Sequence, residues 1–279
     1  FGGMSVGARN AFNLPFSKLL FDVIHIPVPT KGKEVESMNA LQTALKQDNI
    51  AAFIFEPLIQ GAAGMIMYSE ESLDKMIEAC RAKNIITIAD EVMTGFGRTG
   101  KFFANDYLKN KADIICLSKG LTGGVMPLGV TACAKFIFDA FLSDDKMKTF
   151  FHGHSYTANP TACSAALASL DLFDKPEANE NINRIEKKHS VFLQKIKSHE
   201  SLIEVRQLGT IIAFEIKTKE ETNYLNSLAE KISSFFIEKG IILRPLGNIV
   251  YILPPYCIKN EDLDYIYDGV EEFLNGHSI

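Results

Sequence analysis

The chain has 279 residues, of which 47% are hydrophobic and 23% are charged, so it can bury a large core and wholesale disorder is excluded. A net charge of −5, with lysine and arginine scattered along the chain, argues against nucleic-acid binding through phosphate neutralisation. No apolar run reaches the roughly 18 residues of a membrane span, and five widely spaced cysteines without a CxxC pair favour reduced thiols in a cytoplasmic protein.

The first elements alternate between strand and helix. A short strand is predicted at residues 21–26 and a helix at 37–46, where apolar residues recur at helical spacing. Residues 51–55 form a continuous apolar run, which predicts a buried strand. Ser69 is the predicted N-cap of the next helix, which carries one apolar stripe. Strand, helix and strand in this order predict a βαβ unit.

Two apolar runs, 85–89 and 114–117, each end in a residue with useful chemistry. The first ends at Asp90 and the second is followed by Ser118 and Lys119. Both runs predict buried strands, and ligands bind at the carboxyl edge of open parallel sheets. A lysine there can form a Schiff base with a carbonyl, and a carboxylate there can hold a protonated ring nitrogen. The residues alone also allow another interpretation, in which Asp90 only caps the following loop and Lys119 extends into water.

The chain continues through a glycine-rich segment into mixed elements. A strand is predicted at 128–133 and a short helix at 135–142. Asn159, followed by Pro160 at the first helical position, predicts the start of a helix that runs to about residue 173.

A domain boundary is predicted between residues 175 and 176, because the chain beyond it is more highly charged. We therefore expect a large domain at 1–175 and a small α/β domain at 176–279. The predicted elements of the second part are helices at 178–199, 225–239 and 261–274, one or two strands within 202–216, and strands at 241–243 and 249–253.

Two further motifs contain side chains that can bind ligands. His152 and His154 lie two positions apart, but no third ligand is evident, so no metal site is predicted. Arg244 lies in an apolar setting, where it can be a structural ion-pair partner or a bidentate clamp for a substrate carboxylate.

The segments IADEVMTGFGRTGKFF (88–103) and DIICLSKGLTGG (113–124) resemble the signature of class III, fold-type I aminotransferases that depend on pyridoxal phosphate (PLP). The resemblance covers nearly the whole chain. It implies an α/β fold of the PLP-dependent transferase fold type I, with a mostly parallel sheet flanked by helices and a smaller C-terminal α/β domain. Residues 152–170 and 242–258 are similar to the branch of this family that acts on 8-amino-7-oxononanoate in biotin biosynthesis.

The resemblance also implies roles for residues at the cofactor. Lys119 would hold PLP covalently and move a proton between substrate and cofactor. Asp90 would pair with the pyridine nitrogen, and Val92 would press on a face of the ring. His154 and Ser155 match positions that reach the phosphate of a neighbouring subunit's cofactor, which implies a homodimer with shared active sites.

Substrate contacts follow from the same resemblance. Arg244 would hold the carboxylate of 8-amino-7-oxononanoate, Gly153 would touch substrate, and Arg98 would assist nearby. The reaction implied is transamination to 7,8-diaminononanoate. Some relatives have Pro-Thr where this chain has His154-Ser155, so the amino donor, S-adenosylmethionine or lysine, stays open.

The resemblance places residues 1–5 in the middle of the family's chain. The preceding part of the family's chain carries further cofactor and substrate residues, so the sequence is expected to be a fragment that binds PLP poorly by itself. The alternatives left open are another class III ω-aminotransferase of the ornithine or γ-aminobutyrate type, a PLP-dependent decarboxylase or aminomutase, and an inactive fragment that is not an enzyme.

Overall fold

The computed structural model describes residues 1–10 and 12–276. The helices and strands are α1 Gly2–Val6, α2 Glu34–Ala44, β1 Ala52–Phe55, β2 Ile59–Gln60, β3 Ile66–Met67, α3 Glu70–Arg81, β4 Ile86–Asp90, β5 Ile114–Leu117, β6 Val130–Cys133, α4 Lys135–Phe141, α5 Pro160–Phe173, α6 Pro176–Ile196, β7 Leu202–Leu208, β8 Ile211–Ile216, α7 Leu228–Glu238, β9 Ile249–Ile252 and α8 Asn260–Gly276. Short 3₁₀ helices occur at Leu14–Leu19, Ala104–Tyr107, Lys119–Thr122 and Lys146–Lys148.

The main sheet is mostly parallel, as the sequence predicts. Its strand order is β1-β4-β5-β6, with β1, β4 and β5 parallel and β6 antiparallel to β5. Ala89 pairs with Phe55 on one side and Ile115 on the other. Because the three parallel strands run in one direction, their carboxyl ends meet at the same edge, where a ligand site is expected.

Helix α3 shows why the βαβ unit forms. Ser69 caps the helix, since its hydroxyl accepts a hydrogen bond from the backbone N–H of Ser72. The apolar stripe is almost completely buried and consists of Leu73, Met76, Ile77 and Cys80. Each large apolar side chain buried in this way contributes about 1.5–3 kcal/mol. The predicted helix and its cap are confirmed.

A second sheet forms the core of the C-terminal part. Strands β7, β8 and β9 are antiparallel and pack with α6, α7 and α8 around fully buried side chains such as Phe214 and Phe236. Ile211 and Ile249 of this sheet also pack in one apolar cluster with Phe55 of the main sheet. The domain boundary proposed at residues 175 and 176 falls between α5 and α6, and it stays a prediction.

Two predicted strands do not form. Residues 21–26 make no strand pairing, and Phe21 and Ile24 leave 55% and 44% of their surface exposed, so they have no buried face to hold them in a sheet. Residues 241–243 are not a strand either; Ile242, two residues after the turn at Gly240, is 93% exposed.

The hairpin of β2 and β3 is not predicted from the sequence. Each of its strands has two residues, Ile59–Gln60 and Ile66–Met67, which is too short to produce a visible alternation. Leu58 and Met65 have left-handed backbones, with φ of 65° and 54°. The hairpin lies between β1 and α3, and its Gly61 N–H donates a hydrogen bond to Glu56, the residue after β1.

Apolar side chains remain exposed around β6. All four residues of this strand are exposed, and the following segment exposes five phenylalanines: Phe136, Phe138, Phe141, Phe150 and Phe151. Exposed apolar surface of this extent is typical of a protein–protein contact. Across the described ranges, no helix has the length and apolar character needed to cross a bilayer.

Candidate active site

Asp90 and Lys119 lie at the same edge of the main sheet. Asp90 is the last residue of β4 and pairs with Cys116 of the neighbouring strand β5, three positions before Lys119. The Asp90 carboxylate accepts a hydrogen bond of 3.0 Å from the backbone N–H of Val92. Lys119 begins a 3₁₀ turn, and its side chain is exposed. The structure therefore brings together an amine and a carboxylate from neighbouring strand ends.

Glu56 is a third charged residue at this edge, and it is not among the residues predicted from the sequence. It follows β1, and its carboxylate accepts a 2.9 Å hydrogen bond from the backbone N–H of Gly61. Burial raises the pKa of Glu56, the bond from Gly61 lowers it, and the charges of Asp90 and Lys119 shift it up and down respectively. The sequence contains a signal for Glu56, because this residue directly follows a predicted strand. In a parallel sheet, the carboxyl end of that strand lies at the same edge as Asp90.

The turn that bonds Glu56 is itself held by Arg206 of β7. The guanidinium donates 2.8 Å from Nε to the carbonyl of Met65 and donates a second bond to Gly64. A salt bridge of 2.7 Å joins it to Glu204. Arg206 thus ties the C-terminal sheet to the hairpin that bonds Glu56, a contact between residues 141 positions apart that sequence patterns do not reveal.

Glu91, next to Asp90, fixes the loop that leaves β4. Its side chain is fully buried and accepts bonds from the hydroxyl of Thr94 and the backbone N–H groups of Ala104 and Asn105, at 2.6, 3.1 and 2.6 Å. Burial raises the pKa of Glu91, and these hydrogen bonds oppose that shift. The carboxylate therefore folds residues 91–105 into a compact loop, in which Val92 is half-buried beside Asp90.

Arg98 is part of this loop, and its guanidinium contacts residues after β9. Nη1 donates a 2.6 Å hydrogen bond to the carbonyl of Pro254, and the guanidinium carbon lies 4.6 Å from the centre of the Tyr256 ring. The structure therefore shows how Arg98 joins the loop to the C-terminal part. Its predicted contact with substrate stays a prediction.

Gly153, His154 and Ser155 form part of an exposed segment before α5. His154 Nδ1 accepts a 3.1 Å bond from the N–H of Tyr156, while its own N–H donates to Thr157 Oγ1 at 3.0 Å. Within residues 1–10 and 12–276, no hydrogen bond joins this segment to Asp90 or Lys119. Because the segment is exposed, a second subunit can reach it. The resemblance implies that His154 and Ser155 contact the cofactor phosphate of such a subunit.

Arg244 is exposed and forms a small cluster with two tyrosines. Its Nη2 donates a 3.0 Å hydrogen bond to the hydroxyl oxygen of Tyr224, and Tyr251 lies close enough to influence its pKa. The bond to Tyr224 raises the pKa of Arg244, so the guanidinium stays charged. Phe12 packs edge-on against Tyr224, with ring centres 4.9 Å apart. Sequence spacing gave no reason to expect Tyr224 beside Arg244.

This donor set fits PLP. A primary amine for the aldehyde and a carboxylate for the ring nitrogen project from adjacent strand ends, and Val92 follows the carboxylate. The mostly parallel sheet with flanking helices and this edge site define a PLP-dependent transferase of fold type I.

A family model for the class III aminotransferases matches residues 1–274, and the chain belongs to this family of PLP-dependent enzymes. It is 42% identical to the adenosylmethionine-8-amino-7-oxononanoate aminotransferase of Synechococcus elongatus, over 99% of this chain and 66% of that protein. The namesake from Geobacter sulfurreducens is 37% identical, over 98% of this chain and 64% of that protein.

The chain is also similar to a solved structure of an enzyme with the same name. The crystal structure of adenosylmethionine-8-amino-7-oxononanoate aminotransferase from Methanocaldococcus jannaschii superimposes with a TM-score of 0.91 at 36% identity, covering all of this chain and 65% of that one. The chain therefore spans slightly less than two thirds of the length of these relatives.

Proposed function

We propose that the full-length protein transaminates 8-amino-7-oxononanoate to 7,8-diaminononanoate in biotin biosynthesis, with S-adenosylmethionine or lysine as amino donor. The observation that carries the proposal is the placement of Lys119 and Asp90 at adjacent parallel strand ends. The narrower substrate assignment is supported by relatives that are named for this substrate and are up to 42% identical to the chain.

The residues at the sheet edge divide the chemistry between them. PLP, when bound, supplies an aldehyde that captures amines and a ring that accepts an electron pair. The carboxylate of Asp90 binds the ring nitrogen and keeps it protonated. The Lys119 amine holds the aldehyde and then carries a proton to and from the substrate carbon. Val92, fixed beside Asp90 by its own N–H, presses on the ring face.

Substrate is held further from the reacting atoms. The charged guanidinium of Arg244 suits bidentate binding of the keto acid's carboxylate, with Tyr224 orienting it through the 3.0 Å bond. Gly153 contacts the substrate, and Arg98 assists from the loop after β4. Glu56 adds a partly buried carboxylate near enough to Lys119 to feel its charge, which suits an amine-bearing substrate.

A homodimer with shared active sites completes this assignment. The exposed phenylalanines after β6 provide an apolar surface for a second copy, and the exposed His154 and Ser155 reach the phosphate in the partner subunit's site. The division into a large domain at 1–175 and a small domain at 176–279, and a cytoplasmic location, belong to the same proposal.

The direct test is conversion of 8-amino-7-oxononanoate by the full-length protein with PLP, followed by mass spectrometry of the product. We expect 7,8-diaminononanoate with one of the two donors and release of the keto form of that donor. Lys119→Ala should abolish turnover, whereas Lys135→Ala, which alters an exposed lysine paired with Asp139, should not. Turnover of ornithine or γ-aminobutyrate, but not of 8-amino-7-oxononanoate, would instead indicate another class III ω-aminotransferase.

A further inference from the structure

The backbone of Lys119 is strained. Its φ is +44°, in the left-handed region that residues other than glycine rarely occupy. Such a conformation costs about 1–3 kcal/mol and persists only where neighbouring residues enforce it. Lys119 is the first residue of a short 3₁₀ turn, so it gains little support from that turn. The contacts that enforce this conformation must come from elsewhere in the fold.

One such contact is the packing of Phe96 on the next residue, Gly120. A Cβ built on Gly120 would lie 3.0 Å from both Cβ and Cδ2 of Phe96, so there is no space for the turn to move toward the ring. Phe96 is only 3% exposed and packs in one cluster with Leu121 and Ala166. The Phe96 side chain therefore packs against the backbone at Gly120 and restricts the movement of the Lys119–Gly120 turn.

Phe96 also needs support, because its own φ is +58°. The support comes from Tyr256, whose hydroxyl donates a 2.7 Å hydrogen bond to the Phe96 carbonyl across 160 positions of sequence. Burial raises the pKa of Tyr256 to about 12, so this hydroxyl keeps its proton and remains a donor. The Arg98 guanidinium lies over the Tyr256 ring and donates a hydrogen bond to the carbonyl of Pro254.

The loop has little room to relax around this bond. Gly97 has a φ of +87°, and a Cβ on it would lie 2.5 Å from Ile182 Cδ1 and 3.3 Å from the Tyr256 hydroxyl. The loop therefore packs closely against side chains of the C-terminal part. The hydrogen bond from Tyr256 to the Phe96 carbonyl fixes its position there.

We propose that Tyr256 is a positioning residue for Lys119, acting through the Phe96 carbonyl and the packing of the Phe96 ring on Gly120. Tyr256 touches neither substrate nor cofactor in this role. The C-terminal part of the chain thereby controls where the reactive amine lies. The inference rests on the proposed function, since it assumes that Lys119 is the residue that holds PLP.

The test compares Tyr256→Phe with Tyr265→Phe in the full-length protein. Both changes remove one hydroxyl, but Tyr265 is exposed on α8 and bonds only the carbonyl of Lys239, at 3.0 Å, among the described contacts. For each variant, the PLP dissociation constant and the visible band of bound PLP are measured, together with kcat, the KM for the keto acid, and Tm.

For Tyr256→Phe we expect the PLP dissociation constant to rise and kcat to fall, each by about fivefold, the effect of one lost hydrogen bond. The keto-acid KM should change less than twofold, because Arg244 is untouched. Tyr265→Phe should leave all these values within about twofold of wild type. If Tyr256→Phe does not fold, Phe96→Leu, which removes the ring from Gly120, should give the same pattern.

Two results would overturn the proposal in different ways. If Tyr256→Phe lowers only Tm, with PLP binding, the visible band and kcat unchanged, Tyr256 is merely structural while the proposed function stands. If wild type forms no visible band with PLP, or Lys119→Ala keeps that band, the proposed function fails and the positioning role fails with it.

Discussion

Adding one methyl group at Gly209, in the variant Gly209→Ala, should disrupt the contact between the β7–β8 turn and residues 98–100 of the loop after β4. Gly209 lies between β7 and β8 with φ of +54°. A Cβ there would lie 2.3 Å from the carbonyl carbon of Thr99, 2.4 Å from the nitrogen of Gly100 and 2.6 Å from the oxygen of Arg98. These are all backbone atoms, so no side chain can rotate away. The neighbouring Thr210 N–H donates a 3.0 Å bond to the same Arg98 oxygen.

The cost of Gly209→Ala has two parts. The left-handed backbone costs an alanine about 1–2 kcal/mol. Overpacking against fixed atoms adds about 1–3 kcal/mol. Their sum, about 2–5 kcal/mol, corresponds to a fall in Tm of about 4–20 °C for a chain of this size.

The variant Gly240→Ala measures the backbone cost alone, without the overpacking. Gly240 also has a positive φ, +72°, but a Cβ there would meet nothing within 4 Å. Its cost should be the backbone term alone, about 1–2 kcal/mol. Both variants and wild type are compared by differential scanning calorimetry and urea unfolding. A Gly209→Ala protein as stable as the Gly240→Ala protein would refute the reasoning, since it would mean that the β7–β8 turn does not press on residues 98–100.

Three further predictions concern charge and chemistry. Lys119→Ala should lose the visible absorbance of bound PLP and nearly all turnover; an unchanged spectrum would remove this lysine from the site. Arg244→Ala should raise KM for the keto acid by at least about tenfold, the value of a charge-assisted hydrogen bond, and leave KM for the donor nearly unchanged; equal effects in steady-state kinetics would exclude the clamp. His189, fully buried between the Tyr267 hydroxyl and the Thr210 carbonyl, has its pKa lowered by burial to about 4. The unfolded chain therefore binds a proton first, and stability present above about pH 6.5 should decline by roughly 3 kcal/mol as pH falls to about 4. Urea unfolding of wild type and His189→Gln should show this loss only in wild type; parallel pH profiles would contradict it.

The parts of the fold with local sequence signals were predicted well. Strands β4 and β5 are continuous apolar runs that end in charged or polar residues, and their parallel pairing at Asp90 and Cys116 is confirmed. Helix α5 starts where Asn159 and Pro160 predict, and the Asn159 side chain accepts bonds from the N–H groups of Thr161 and Ala162. These features depend on neighbours within a few positions, so the sequence reveals them.

The errors come from long-range packing. Residues 241–243 have the composition of a strand, yet they pair with no strand in the described part of the chain, and Ile242 remains in solvent. The hairpin of β2 and β3 is held by Arg206, 141 positions away from Met65. In both cases the deciding contact is with a residue that periodicity does not identify.

The candidate site divides in the same way. Asp90 and Lys119 were found because each follows its own apolar strand. Glu56 and Tyr256 were not assigned roles, since each acquires one only when the fold brings it to the sheet edge or to the loop after β4. The substrate contact of Arg98 stays a prediction, and the bond of its guanidinium to Pro254 and its stacking on Tyr256 could not be read from the sequence.

The most direct measurement is the site at which PLP attaches to the full-length protein. The protein is incubated with PLP, reduced with borohydride, digested, and mapped by peptide mass spectrometry. Attachment to Lys119 alone, lost in Lys119→Ala, is the predicted result. Attachment to a different lysine, with Lys119 unmodified in active protein, would contradict the assignment of the sheet edge between Asp90 and Lys119 as the cofactor site.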